Sequence, residues 1–114
     1  MIAGEFAKSV DMELLLPDMA GQEMDISGCY IGDLLSNVMG QAKTGQIWLT
    51  VMTNVNILAV AQLIDLSGIV LLENNQPVEG VLERATLEGI PVFQSKETAY
   101  QAAIRLHESG LAPL

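Results

Sequence analysis

Chemistry needs particular residue types at particular spacings, and this 114-residue sequence offers few of them. A phosphate-cradling loop needs G-x-x-x-x-G-K-[ST] between a strand and a helix. The nearest string, Gly4-Glu5-Phe6-Ala7-Lys8-Ser9, has alanine at the second glycine, too short a spacing and no preceding strand pattern. Kinase chemistry of that kind is therefore excluded. G-x-G-x-x-G is absent, and Gly28-Cys29-Tyr30-Ile31-Gly32 lies inside a strand pattern. A single cysteine, Cys29, and a single histidine, His107, cannot make a zinc site alone. The carboxylates follow no calcium-loop pattern. With one histidine and no nucleophile elbow, no Ser-His-Asp or Cys-His arrangement can be built. Cys29 reads as a small buried strand residue, because a reactive thiol needs a positive charge nearby. His107, beside Arg105 and Glu108, reads as a boundary or surface histidine. The sequence predicts no catalytic residue, no metal and no cofactor.

Binding is a different matter. In an open α/β sheet, ligands sit beyond the carboxyl ends of the strands. The polar segments expected there are Gly32-Asp33, Thr53-Asn54-Val55-Asn56, Glu73-Asn74-Asn75 and Ser95-Lys96-Glu97. Two of them adjoin helix starts, where free N–H groups can hold an anion. Asp33, Thr53, Asn54 and Asn56 are the candidate ligand contacts. Helix capping accounts for the same residues without any ligand.

The elements that must position these segments centre on Gln46–Glu73. Ile47–Met52 and Ile69–Leu72 are continuous apolar runs, which means burial on both faces as in a parallel sheet covered by helices. Between them, Val55, Leu58, Ala59, Leu63 and Leu66 follow helical spacing. The unit is a βαβ crossover with Thr53 or Asn54 capping its helix. Upstream, 2–10 is expected to be a short amphipathic helix, 12–16 a strand stopped by Pro17, 18–25 a loop, and 26–31 a second strand. The short link between those two strands favours an antiparallel or edge arrangement. Asp33 is expected to N-cap a helix over 34–41, with Lys43-Thr44-Gly45 as its exit turn. Downstream, Pro77 is expected to start a helix over 78–88, with Val81, Leu82, Ala85 and Leu87 or Glu88 facing the sheet. A strand at 90–93 follows, then a helix opened by Ser95 or Glu97, carrying Tyr100, Ala103, Ile104 and His107 on one side. Gly110 ends it, with Pro113 beyond. The predicted fold is one α/β domain, a three-layer α/β/α arrangement. Its sheet is mostly parallel, with about five strands and helices on both faces.

Composition agrees. Half the residues are hydrophobic, enough to bury a core at this length. Fourteen acids against five bases give a net charge of −9, which disfavours nucleic acid and anionic membranes as partners. One cysteine, no signal-peptide pattern and no membrane span predict a cytoplasmic protein.

Four segments in order carry a family resemblance: G-C-Y-I-G-D-L-L-S-N-V-M (28–39), Q-I-W-L-T-V-M-T-N-V-N-I-L-A-V-A (46–61), G-I-V-L-L-E-N-N-Q-P (68–77) and G-I-P-V-F (89–93). The succession resembles the DRTGG domain over nearly the whole chain, and especially small stand-alone members associated with iron-only hydrogenase genes. The same module is similar to the non-catalytic N-terminal domain of HPr kinase/phosphorylase and to accessory modules of some phosphotransacetylases and CBS-domain pyrophosphatases. The resemblance implies a non-catalytic regulatory or assembly module. It would self-associate as a homodimer and have a protein partner linked to hydrogenase or carbon metabolism. A small-molecule or nucleotide sensor with its ligand at the strand ends is the alternative. One departure stands out. Family members carry a Thr-Gly-Gly-like turn after the strand equivalent to Ile69–Leu72, and here it is Glu73-Asn74-Asn75. Asparagine tolerates positive φ, so the turn is expected to survive, but the added acid makes phosphate a poor ligand there.

Overall fold

The computed structural model describes residues 1–111, so Pro113 lies outside the described residues. Ten elements alternate along the chain: α1 (Ala3–Ser9), β1 (Glu13–Leu14), β2 (Gly28–Ile31), α2 (Leu35–Gln41), β3 (Gln46–Thr50), α3 (Asn56–Ile64), β4 (Gly68–Leu71), α4 (Val81–Glu88), β5 (Val92–Gln94) and α5 (Ala99–Glu108). A short 3-10 turn, Pro17–Met19, sits between β1 and β2. The sheet has five strands in the order β1-β5-β4-β3-β2. β2, β3, β4 and β5 are parallel, and the β1–β5 pair is antiparallel. This is the predicted mostly parallel α/β sheet flanked by helices.

The continuous apolar runs explain why β3 and β4 are central. Every residue of Gln46–Thr50 and of Gly68–Leu71 is buried. Trp48, Ile69, Leu71 and Val92 pack on one face with Val38 of α2, Ile57, Leu58 and Ala61 of α3, and Val81 and Ala85 of α4. Ile47, Leu49, Val70, Leu72 and Phe93 pack on the other with Phe6 and Ala7 of α1 and Ala102 and Leu106 of α5. The Phe6 and Phe93 rings meet edge-on, with centroids 5.2 Å apart. Each large aliphatic buried this way contributes about 1.5–3 kcal/mol against exposure.

Several local expectations are corrected. β1 is antiparallel and at an edge, but it pairs with β5 rather than β2, and the two strands lie on opposite edges. The link between them crosses the amino-terminal end of the sheet. Gln22 Nε2 donates to Gly89 O (2.9 Å) and Ser27 N to Gly45 O (2.9 Å). Satisfying these exposed loop carbonyls in turn carries the chain from the β5 side to the β3 side. Pro77 does not start α4. The Val78 N–H is spent on Thr53 O (2.9 Å), and Gly80 enters the helix at φ 92°, which only glycine adopts freely. Of the expected inward face of α4, Val81 and Ala85 are buried, Leu82 is partly buried, and Leu87 is 84% exposed. α5 is opened by Thr98, not by Ser95 or Glu97. Thr98 and Gln101 form a reciprocal capping box, worth about 1 kcal/mol. The side bearing Tyr100, Ile104 and His107 faces solvent.

Candidate functional site

The parallel strands bring their carboxyl ends, and so all four polar segments, to one end of the sheet. Two of the candidate residues there, Asp33 and Asn54, spend side-chain oxygens on the fold itself. Asp33 does not cap α2, whose N-cap is Leu34 with no side-chain capping bond. Its carboxylate instead turns across to the end of β3. There Oδ1 accepts from the Thr50 hydroxyl (2.7 Å) and from the Val51 N–H (2.9 Å). Thr50 Oγ1 in turn accepts from Met52 N (3.1 Å), and Trp48 Nε1 donates to Gly32 O (2.9 Å). Together these bonds tie the β2 exit to the β3 exit. Asn54 Oδ1 accepts from Asn56 N (2.9 Å), which satisfies one free donor before α3, although the N-cap position itself is Val55. Thr53 offers its carbonyl to Val78 N. Asp33 and Asn54 therefore hold the loops together through their side chains and Thr53 through its carbonyl alone, while the exposed Asn56 side chain makes no hydrogen bond among the described residues.

Beside exposed polar residues such as Asp33, Asn54 and Asn56, these loops also present aliphatic side chains outward. Ile31, Leu34 (66% exposed), Val51, Val55 (49%) and Val78 are all exposed around the carboxyl ends of β2, β3 and β4. The Asp33–Val51 and Thr53–Val78 bonds join the loops that carry them. Beside them, β2 has a hydrogen-bonded neighbour on one side only, and its residues Gly28, Cys29, Tyr30 and Ile31 carry no charge. Sheet edges are normally protected by charges, proline or bulges.

A cleft of about 430 Å³ lies at the other side of the same end, between β1, the ends of β4 and β5, and α5. It is lined by Asp11, Glu13, Asn74, Gln94, Lys96 and Arg105, with Met12 and Glu97. None of the four residues singled out in the sequence lines it. The Glu73-Asn74 turn beside it has φ of 56° and 59°, so the left-handed conformation survives without glycine. Two backbone bonds hold that turn against the β5–α5 loop, Glu73 N to Glu97 O (3.0 Å) and Asn74 N to Ser95 O (2.8 Å). Arg105 Nε is bonded to Glu97 Oε1, and its Nη2 lies 3.8 Å from Asp11 Oδ2. The hydrogen bond it donates to Glu97 holds the guanidinium pKa above its ordinary value.

A second cleft, of about 400 Å³, lies at the amino-terminal end among Gln22–Asp25, Thr44-Gly45 and Asp65–Ser67. Its hydroxyls are already bonded to backbone: Ser67 Oγ donates to Gly45 O (2.6 Å) and Thr44 Oγ1 to Ile64 O (2.9 Å). Cys29 is partly buried, and burial pushes its thiol up to about 12. It is a neutral thiol at physiological pH, unsuited to act as a nucleophile. His107 is exposed on α5. Among the described residues, no group of three or more His, Cys, Asp and Glu side chains is placed to hold a metal ion. No helix among them is long and apolar enough to cross a membrane. No family model matches this chain, and no curated protein matches it.

Proposed function

We propose that this chain is a non-catalytic regulatory or assembly module of the DRTGG type, cytoplasmic, which self-associates as a homodimer and docks a protein partner. The observation that carries the reading is the exposed aliphatic group at the carboxyl end of the sheet, Ile31, Leu34, Val51, Val55 and Val78, beside the uncharged edge of β2. Apolar surface gathered in one place and rimmed by polar residues is typical of interaction sites. The charge balance supports a second copy as occupant. Two chains of net charge −9 repel wherever their acidic faces meet, so a mainly aliphatic surface, whose one acid Asp33 is hydrogen-bonded to Thr50 and Val51, is where they can approach. A partner linked to hydrogenase or carbon metabolism is what the family resemblance adds to this reading.

Size-exclusion chromatography with light scattering tests it. The expected result is twice the chain mass, giving way to monomer on dilution. A strict monomer at roughly 0.5 mM, a dissociation constant weaker than about −4.5 kcal/mol of association, would contradict self-association. The alternative, a small-molecule sensor, draws its support from the cleft beside β5.

A further inference from the structure

The cleft between β1, the β4 and β5 ends and α5 has a charge pattern unlike the rest of the surface. The protein has five lysines and arginines against fourteen acids, yet two of the five, Lys96 and Arg105, line this one cleft. They are far apart in sequence on separate elements, the β5–α5 loop and α5. Lys96 is exposed, and its ammonium makes no hydrogen bond or ion pair among the described residues. Arg105 commits Nε to Glu97 and leaves its outer nitrogens only loosely held, at 3.8 Å from Asp11. On the α1–β1 side, Asp11 and Glu13 contribute two carboxylates. Asn74 presents a carboxamide that makes no hydrogen bond among the described residues. Gln94 donates from Nε2 to Asn75 O (2.7 Å), which leaves its Oε1 able to accept.

A ligand of one sign fits this lining badly. A simple anion meets Asp11, Glu13 and the Arg105-bonded Glu97, and a simple cation meets Lys96 and Arg105. A molecule carrying both signs a bond or two apart satisfies both sets. The volume of about 430 Å³ leaves room for a side chain, and Asn74 and Gln94 suit a polar one. We infer that this cleft binds a small zwitterion, an α-amino acid or close analogue, with its carboxylate toward Lys96 and Arg105 and its ammonium toward Asp11 and Glu13.

The site lies apart from the aliphatic patch, so it stands or falls independently of self-association. The test is an amide-resolved NMR titration of the full chain with the proteinogenic L-amino acids, each to about 10 mM, a range that detects affinities of roughly −3 to −4 kcal/mol or better. L-glutamine is then compared with its deaminated acid, 5-amino-5-oxopentanoate, and its decarboxylated amine, 4-aminobutanamide. The expected result is saturable shifts at Asn74, Lys96 and Glu13 with at least one amino acid, and weaker binding of both truncated analogues. Lys96→Gln should weaken the amino acid about tenfold, equivalent to about 1.4 kcal/mol. The paired change Asp11→Asn with Glu13→Gln should shift preference toward the deaminated acid. Lys96, Asp11 and Glu13 are exposed, so these variants keep the fold. Three results would overturn the inference: no saturable shift from any amino acid, shifts confined to another surface, or a truncated analogue that binds as well as its parent.

Discussion

Asp33 illustrates how a residue chosen for chemistry can turn out to be architectural. A carboxylate just after a strand and before a helix suggests a cap or an anion-site neighbour. Its Oδ1 instead accepts two bonds from the end of the adjacent strand, one from the hydroxyl of fully buried Thr50. Asp33→Ala should therefore cost about 1–3 kcal/mol in urea unfolding, because Thr50 and Val51 lose their acceptor. Asp33→Asn, which keeps an acceptor oxygen, should cost less, and an unchanged midpoint for both would contradict the role. The thiol of Cys29 gives a pH test. Burial raises it to about 12 in the folded chain, whereas an unfolded thiol ionises near 9. Folding then keeps a proton that the unfolded chain releases, so the contribution is intact below about pH 9 and is lost as pH rises toward 12. Stability should fall by on the order of 1 kcal/mol per pH unit above pH 9 relative to Cys29→Ala. Parallel pH profiles for the two proteins would refute it. The same neutral thiol should react slowly with disulfide reagents in the native state, and quickly once unfolded.

At the scale of elements, the central βαβ unit was legible because continuous apolar runs have one common explanation, burial on both faces. Of the runs Ile47–Met52 and Ile69–Leu72, positions 47–50 and 69–72 are buried as that pattern requires, whereas Val51 is exposed and Met52 half-buried beyond the end of β3. Pairing of the first two strands was not legible. Hydrogen bonds from the 22–27 segment to loops at the amino end of the sheet send β1 and β2 to opposite edges, and no local pattern encodes such partners. The start of α4 failed for a related reason: Pro77 suits a helix start, but a distant carbonyl, Thr53 O, had already claimed the next N–H. The close approach of β4 to its neighbours makes a sharp prediction. A Cβ on Gly68 would lie 3.0 Å from Pro91 O and 3.1 Å from Ile47 Cδ1. Gly68→Ala should cost about 1–3 kcal/mol, since the backbone oxygen cannot yield without disturbing β5. Gly40, inside α2 with open space around its Cβ position, is the contrast. Gly40→Ala should stabilise by about 0.5–1 kcal/mol. Thermal or urea unfolding of the two variants checks both signs.

At the scale of the whole molecule, the gathering of the polar segments at the carboxyl end of the sheet was legible, but the exposed aliphatics among them were not. Asp33 and Asn54 serve loop closure there, and aliphatic side chains are exposed beside these and the other polar residues. The cleft escaped because Asp11, Asn74, Lys96 and Arg105 meet only through the β1–β5 pairing and the docking of α5. Lys96 and Asn74 stood in segments already flagged as polar strand ends, so a signal was present. Asp11 and Arg105 carried none. The central claim is that the patch formed by Ile31, Leu34, Val51, Val55 and Val78 is where the chain meets another copy of itself. Its most direct test is a concentration series of amide-resolved NMR spectra on the wild-type chain and on Leu34→Glu. The account predicts concentration-dependent shifts and broadening at 31–34, 51–55 and 78 in the wild type, and their loss in Leu34→Glu. Spectra that do not change with concentration, or changes centred on Leu87 or Tyr100 instead, would contradict it.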